Sequence, residues 1–542
     1  MMTGLAKQII ERPWLWLIGL AAVQLLFMLG GHTFWDIDEP INASCGREML
    51  EASNWLVPMF NGELRSGKPI LTYWLMLSSY SLFGVSEFSA RLPSAICITL
   101  LTLVVTYFGR RLIGVKYGLL AGLMFITSLH MVVIGRAASP DAVFLLTLCT
   151  GLLAGMTYCV EAFRPKKMLW LAYACFGLAM LAKGPVSLAM PGMVLFAWLL
   201  LTGNFSRWRE FHPWRGVMLA LALALPWYIA VWIQTDGEWV QRFLLKDNVG
   251  RFLAPMEGHR GFPGFYLLTL LLGVFPWTGV LIGALMHGPW RPARLKEQPL
   301  RAFLISWIAV FFIFFTIART QLPNYMLPVF PALMLFMAMW LRDTARQSVE
   351  RYLLWAAGVL SFILLIGGGI ALQRQWPGDW PYALSFLPLL IATVVAWQRR
   401  QLMFQSLTAG MMVMVLMLAG WVLPGFDSHK ASRTLAESAT AAGFAKGKLA
   451  GYRFFQESLL YYHGNNTLPV LYDPPELISW LENDGVAVIP QRDMDQLSAE
   501  VTARLDELNR VHGLYARQDL ILVRLRPEQS STPASTPGEV TK

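Results

Sequence analysis

Long apolar runs separated by short polar connections dominate the first four-fifths of the chain. Such runs fall at about 14–31, 88–109, 117–134, 142–160, 168–183, 186–202, 216–234, 264–286, 302–318, 323–341, 352–372, 383–397 and 404–423. Most reach the length an α-helix needs to cross a hydrocarbon core, roughly 20 residues. The pattern predicts about thirteen transmembrane helices in residues 1–423. After residue 423 it changes to short alternating segments. Leu449–Tyr452, Leu468–Tyr472, Val486–Ile489 and Leu520–Leu525 read as strands, and Met494–Leu508 as a helix. Residues 424–526 therefore form a small α/β domain, and 527–542, rich in Ser, Thr and Pro, are expected to be disordered.

Two connections are long, about 32–87 and 235–263, and long loops beside short ones usually carry function. Gly46 to Glu51 has the pattern of a helix lying in the membrane interface.

Composition agrees with a membrane protein: 56% hydrophobic, 14% charged, with 22 Trp. The net charge of +10 is largely topogenic. Lys7 and Arg12; Arg110, Arg111 and Lys116; Arg164, Lys166 and Lys167; Arg342, Arg346 and Arg351; and Arg399 and Arg400 crowd one side. Arg207, Arg209 and Arg215, and Arg291, Arg294, Lys296 and Arg301, fall on the same side. By the positive-inside rule that side is cytoplasmic, so charge gives no reason to expect nucleic acid. The N-terminus is then inside, and the two long loops and the C-terminal domain lie in the periplasm. The first apolar run lacks a small-residue cleavage site after Gly30 and reads as a retained signal anchor. Five cysteines, four of them in apolar runs, form no disulfide framework.

Three carboxylates, Asp36, Asp38 and Glu39, follow the first apolar run. Lys68, Lys183, Arg251 and Arg319 run against the charge bias on the outer side. An anionic phosphate is their natural partner, through charge-assisted hydrogen bonds. Asp141 starts the fourth run, and Lys183-Gly184-Pro185 breaks the chain after the fifth. Carboxylates for proton handling and cations for a phosphate leaving group make a transferase constellation.

Asp38-Glu39, Arg47-Glu48-Met49-Leu50, Trp55-Leu56-Val57-Pro58, Gly67-Lys68-Pro69-Ile70, Tyr73-Trp74, Phe83-Gly84-Val85 and Ala90-Arg91-Leu92-Pro93 extend this constellation. This string resembles the first-loop signature of the bacterial protein-mannosyltransferase-like GT-C glycosyltransferases. Within them it is most similar to the aminoarabinose transferases that modify lipid A. The similarity continues through Asp141, Lys183-Gly184, Arg251-Phe252, His259 and Leu322-Pro323-Asn324-Tyr325.

The resemblance implies an inverting glycosyltransferase of the inner membrane. Its donor would be a sugar on undecaprenyl phosphate, and its acceptor lipid A, another glycan or protein. By the same comparison Asp38 is catalytic with Glu39 beside it. Lys68, Arg251 and Lys183 hold the donor phosphate, and Asp141, Tyr73, Arg319 and Tyr325 support the cavity. The residues establish no cofactor; a divalent metal ion is the open candidate, with His259 as its candidate ligand. The chain departs from the subgroup twice. Pro40-Ile41-Asn42 stands where an Arg-Tyr pair usually follows Asp-Glu. Asn248 stands where a histidine precedes Arg-Phe, and amide oxygen is a poorer transition-metal ligand than imidazole.

Two other classes compete. A lipid-linked sugar flippase would need the same cations, but also polar residues near the midplane of several helices. A scaffold whose outer domain recruits partners leaves the first-loop string unexplained. Protein O-mannosyltransferase-like activity is the alternative within the enzyme class.

Overall fold

The structure is a computed structural model. It describes residues 13–250, 262–288 and 295–527. Arg251, Glu257, His259 and Arg260 lie outside the described residues, as do Lys7, Arg12, Arg291, Arg294 and residues 528–542. The chain divides into two compact units, up to Phe426 and from Asp427.

The first unit is a helical bundle. Among the described residues, eight helices are long and apolar enough to cross a membrane, or nine if the bent pair Val115–Ile126 and Leu129–Gly135 forms one span. The other apolar runs are interrupted or shorter than the sequence pattern suggests. Pro13–Leu26 and Val186–Thr202 are short helices, Lys166–Lys183 carries three lysines, and the run at 264–286 is split into Phe265–Gly273 and Thr278–Met286. At the centre lies Phe330–Asp343, buried at every position from Phe330 to Trp340.

Capping explains where the helices that frame the site begin. Glu87–Ile113 starts with a capping box: Ser86 Oγ accepts the Ser89 N–H at 3.2 Å, and Ser89 Oγ accepts the Ser86 N–H at 3.0 Å. Ser139 caps Pro140–Val160, its Oγ accepting the Asp141 N–H at 3.2 Å, with Pro140 in the first turn.

The first long loop is ordered and layered onto the bundle. It holds helix Asp38–Glu51, the hairpin of β1 (Met59–Phe60) and β2 (Glu63–Leu64), and helix Leu71–Phe83. The helix expected over Gly46 to Glu51 is the second half of Asp38–Glu51, and Glu39 to Met49 are all buried within the protein, Cys45 included. It packs so closely on Leu71–Phe83 that a Cβ on Gly46 would come within 2.9 Å of Met76 Sδ. Arg47 and Glu48 are buried along with its apolar positions.

The second unit carries a five-stranded sheet in the order β4-β3-β5-β7-β6. Here β3 (Leu449–Tyr452) runs parallel to β4 (Val470–Leu471) and β5 (Val486–Pro490). β7 (Gln518–Leu525) runs antiparallel to β5 and to β6 (Leu505–Gly513). The helix expected over Met494–Leu508 is absent. Short helices Gln491–Met494 and Ala499–Ala503 occupy its first part, and β6 begins at Leu505. Pairing with β7 from Leu505 to Gly513, broken only by a bulge at Leu508, outweighs the local helical preference of this segment.

Candidate functional site

Two helix ends meet at the centre of the candidate site. Gly184, at φ +84°, stops helix Lys166–Lys183 and leaves Lys183 as its last residue. A Cβ there would meet the Phe243 ring at 2.5 Å, so glycine serves both the turn and the packing. Asp141 sits in the first turn of Pro140–Val160 and forms an ion pair with Lys183. Each charge lies at the helix end whose dipole favours it.

Asp141 gathers further groups. Its Oδ2 accepts from Asn324 Nδ2 at 3.0 Å and from Ser139 Oγ at 3.1 Å. Asn324 also hydrogen-bonds His130, and Lys68 is within electrostatic reach of the same carboxylate. Lys183 Nζ lies 5.0 Å from the Phe144 ring centroid, within cation–π range. Thus Lys68 and Lys183, far apart in sequence, converge on one buried acid. Half-buried Tyr325 follows Asn324 and lies beside Phe315, ring centroids 4.8 Å apart; Arg319 is exposed.

Asp38 and Glu39 part company. Asp38 is exposed at the first position of its helix. Glu39 points inward and is saturated: Arg91 donates Nε to Oε1 at 2.8 Å and Nη2 to Oε2 at 2.9 Å. The N–H groups of Trp35 and Ala138 donate to it at 3.0 and 2.8 Å. Burial would push its carboxyl up, but Arg91 and these two N–H groups outweigh it and hold the pKa below the ordinary value. This bonding suits Glu39 to positioning the loop rather than to exchanging a proton.

Tyr73 is not gathered around Asp141. It is fully buried, donates to Asn42 Oδ1 at 3.4 Å, and belongs with Cys45 and Arg65 to a second polar cluster. Asn42 Nδ2 in turn donates to the Ala138 carbonyl at 3.1 Å. Arg65 is in reach of Asp247, whose Oδ2 accepts from Ser66 Oγ at 2.9 Å, and Trp239 Nε1 donates to the Arg65 carbonyl at 2.8 Å. These contacts tie the first long loop to the second.

Arg65 and His130 are absent from the sequence candidates, and Asn42, Arg91 and Asn324 stand there only within the strings compared with the family, without a role of their own. Arg91 had the clearest signal, an arginine inside an apolar run. Among the described residues no group of three or more His, Cys, Asp or Glu is arranged to hold a metal ion.

Residues 67–230, which include Lys68, Asp141 and Lys183, match the family described as dolichyl-phosphate-mannose-protein mannosyltransferase. An undecaprenyl phosphate-alpha-4-amino-4-deoxy-L-arabinose arabinosyl transferase of Yersinia pestis (strain Pestoides F) is 30% identical over 419 residues, 75% of this chain and 71% of that protein. The chain belongs to this arabinosyl transferase family. The Aeromonas salmonicida (strain A449) member is 31% identical over 348 residues, and the match spans 62% of that relative's length.

The crystal structure of ArnT from Cupriavidus metallidurans in the apo state has the same fold, with a TM-score of 0.81 at 20% identity. That match covers 95% of this chain and 98% of the other. ArnT bound to undecaprenyl phosphate superposes with a TM-score of 0.78 at 21% identity, over 94% and 98% of the two chains.

Proposed function

We propose that the protein transfers 4-amino-4-deoxy-L-arabinose, or a closely related sugar, from undecaprenyl phosphate to lipid A or another envelope glycolipid. The observation that carries this reading is the convergence of Lys68 and Lys183 on Asp141 within the segment that matches the transferase family. Two ammonium groups beside a buried acid suit a phosphate that gains charge as it leaves. Asp141 holds the lysines in place, with Asn324 and His130 orienting its carboxylate.

In the proposed reaction an acceptor oxygen attacks the anomeric carbon of the donor sugar. The bond from that carbon to the donor phosphate oxygen breaks, and undecaprenyl phosphate departs with the electron pair. Attack from the opposite side inverts the anomeric centre. Exposed Asp38 takes the proton of a hydroxyl acceptor; with a phosphate acceptor it orients that group and stabilises positive charge at the sugar. The resemblance assigns Arg251, which lies outside the described residues, to the same phosphate, and Arg319 and Tyr325 to support of the cavity.

The finer topology belongs to the same proposal: thirteen crossings, N-terminus in the cytoplasm, and both long loops and the C-terminal unit in the periplasm. The concentration of basic residues in the short loops of one side supports it.

The test is transfer by purified protein in detergent, with undecaprenyl phosphate-linked aminoarabinose and lipid A, read by mass spectrometry. Addition of one aminoarabinose mass to lipid A supports the reading. Since detergent offers no second compartment, no transfer to any envelope acceptor would favour a flippase and overturn it.

A further inference from the structure

The opposite ends of the same helices carry a second constellation. Helices Glu87–Ile113 and Pro140–Val160 begin near Arg91 and Asp141 and end at Arg111 and Glu161, about 30 Å away by helical rise. A cavity of about 530 Å³ lies there. It is lined by Arg111, Arg301, Arg342, Glu161, Asp343 and Gln298, so three guanidinium groups face two carboxylates.

Arg111 and Arg301 are held in place. Arg111 pairs with Glu161, Nη2 to Oε2 at 2.7 Å, and Arg301 donates to Gln298 Oε1 at 2.7 Å and pairs with Asp343. Arg342 shares that same carboxylate through Nε at 2.8 Å and is over one-third exposed. Among the described residues that line the cavity, three guanidinium groups stand against two carboxylates, which leaves one positive charge over.

An apolar furrow of about 500 Å³ is lined by the same helix one turn before Arg111. Leu100, Val104 and Tyr107 line the furrow and, with Arg111, form one stripe at three- and four-residue spacing. Arg111 Nη1 donates to Tyr107 Oη at 3.4 Å, which joins the cation cluster to the furrow. Thr147 and Thr150 of the furrow turn their hydroxyls onto their own helix, leaving methyl groups to the space. Trp14, also in the furrow and stacked under Arg110, stands with Tyr107 where aromatic side chains mark the headgroup level. From Arg111 to Leu100 the helix rises about 16 Å, close to the thickness of one leaflet's hydrocarbon.

We infer that this constellation is a binding site for one anionic glycerophospholipid of the leaflet opposite the transferase site. Its phosphate sits on Arg111, Arg301 and Arg342, and one acyl chain lies in the furrow. A soluble anion would use the cavity but has no use for the furrow. A neutral lipid would use the furrow but leaves the surplus charge unmatched.

The experiment delipidates the full-length protein in an uncharged detergent and adds phosphatidylglycerol, phosphatidylcholine, glycerol phosphate or inorganic phosphate. Native mass spectrometry counts retained lipid, and thermal unfolding reads stabilisation. Phosphatidylglycerol is expected to be retained and to raise Tm above phosphatidylcholine. Arg342→Gln, at an exposed position, weakens that retention about fivefold, the effect expected of one basic residue at a charged surface. Leu100→Trp fills the furrow from its exposed rim and also reduces retention. Equal retention of the two lipids, or phosphatidylglycerol retention unchanged in both variants, overturns the site. Stabilisation by glycerol phosphate or inorganic phosphate equal to that by the lipid overturns it too, in favour of a soluble anion.

Discussion

Glu39 and Arg91 form a two-pronged ion pair in which the arginine is wholly buried and both carboxylate oxygens are engaged. The remaining Arg91 donors reach the carbonyls of Leu29 and His32 at 3.0 Å and Thr33 at 3.2 Å. One side chain thereby fixes both the end of the first helix region and the start of helix Asp38–Glu51. Removing one partner leaves a buried charge uncompensated, which costs about 3–5 kcal/mol. Glu39→Gln and Arg91→Leu should each lower Tm sharply in detergent, and the double variant Glu39→Gln/Arg91→Leu should recover part of the loss. An unchanged Tm in both single variants would refute this structural role.

The helical bundle is legible because apolar length predicts membrane helices, and the Asp141–Lys183 pair of the candidate site because charge against the topogenic bias is expensive near a membrane. Lys183 and Asp141 were readable from the Gly184-Pro185 break and the Ser139-Pro140 cap beside them. Their direct pairing was not, since 42 residues separate them in the chain. Glu39 and Asp38 are neighbours of one charge type, and only the backbone turn at the helix start sends one inward and the other outward. The strand at Leu505–Gly513 escaped because its partner, Gln518–Leu525, supplies the ladder that local sequence cannot reveal.

Asp38 is the separable member of that acidic pair. Because it is exposed and Glu39 carries the structural bonding, Asp38→Asn should leave Tm unchanged while lowering turnover about 10²–10⁴-fold. Initial rates of sugar transfer on the purified variant measure this directly. Near-normal rates would remove Asp38 from the chemistry.

The Asp141–Lys183 pair allows stability and catalysis to be separated. Lys183→Gln leaves Asp141 with Asn324, Ser139 and the more distant charge of Lys68 but without its direct ion-pair partner, and should lower both Tm and turnover. Adding Asp141→Asn removes the orphaned charge, so the double variant should regain Tm. It should not regain transfer, because the leaving phosphate still lacks the Lys183 ammonium; one such donor is worth about 10²–10³ in rate. Recovery of both properties would mean that Lys183 serves only Asp141.

Glu48 gives the loop a pH dependence of its own. Burial pushes its carboxyl from the ordinary 4.5 up to about 7, although the N–H groups of Asn61 and Gly62 and the charge of Arg47 oppose the shift. The folded state then binds a proton that the unfolded chain has released between about pH 4.5 and 7. This contribution to stability is therefore fully present below pH 4.5 and lost as pH rises through 7. Glu39 acts in the opposite sense, since its pKa is lowered, and its contribution falls away only in more acidic solution. Between pH 5 and 8 Glu48 should thus dominate this loop, and Tm should decline across that range. Glu48→Gln keeps an acceptor for the Asn61 N–H, which now lies 3.2 Å from Oε1, while removing the titration. Its Tm should exceed that of the native protein at pH 8 and change less with pH; parallel Tm profiles for the two proteins would show that Glu48 does not titrate in this range.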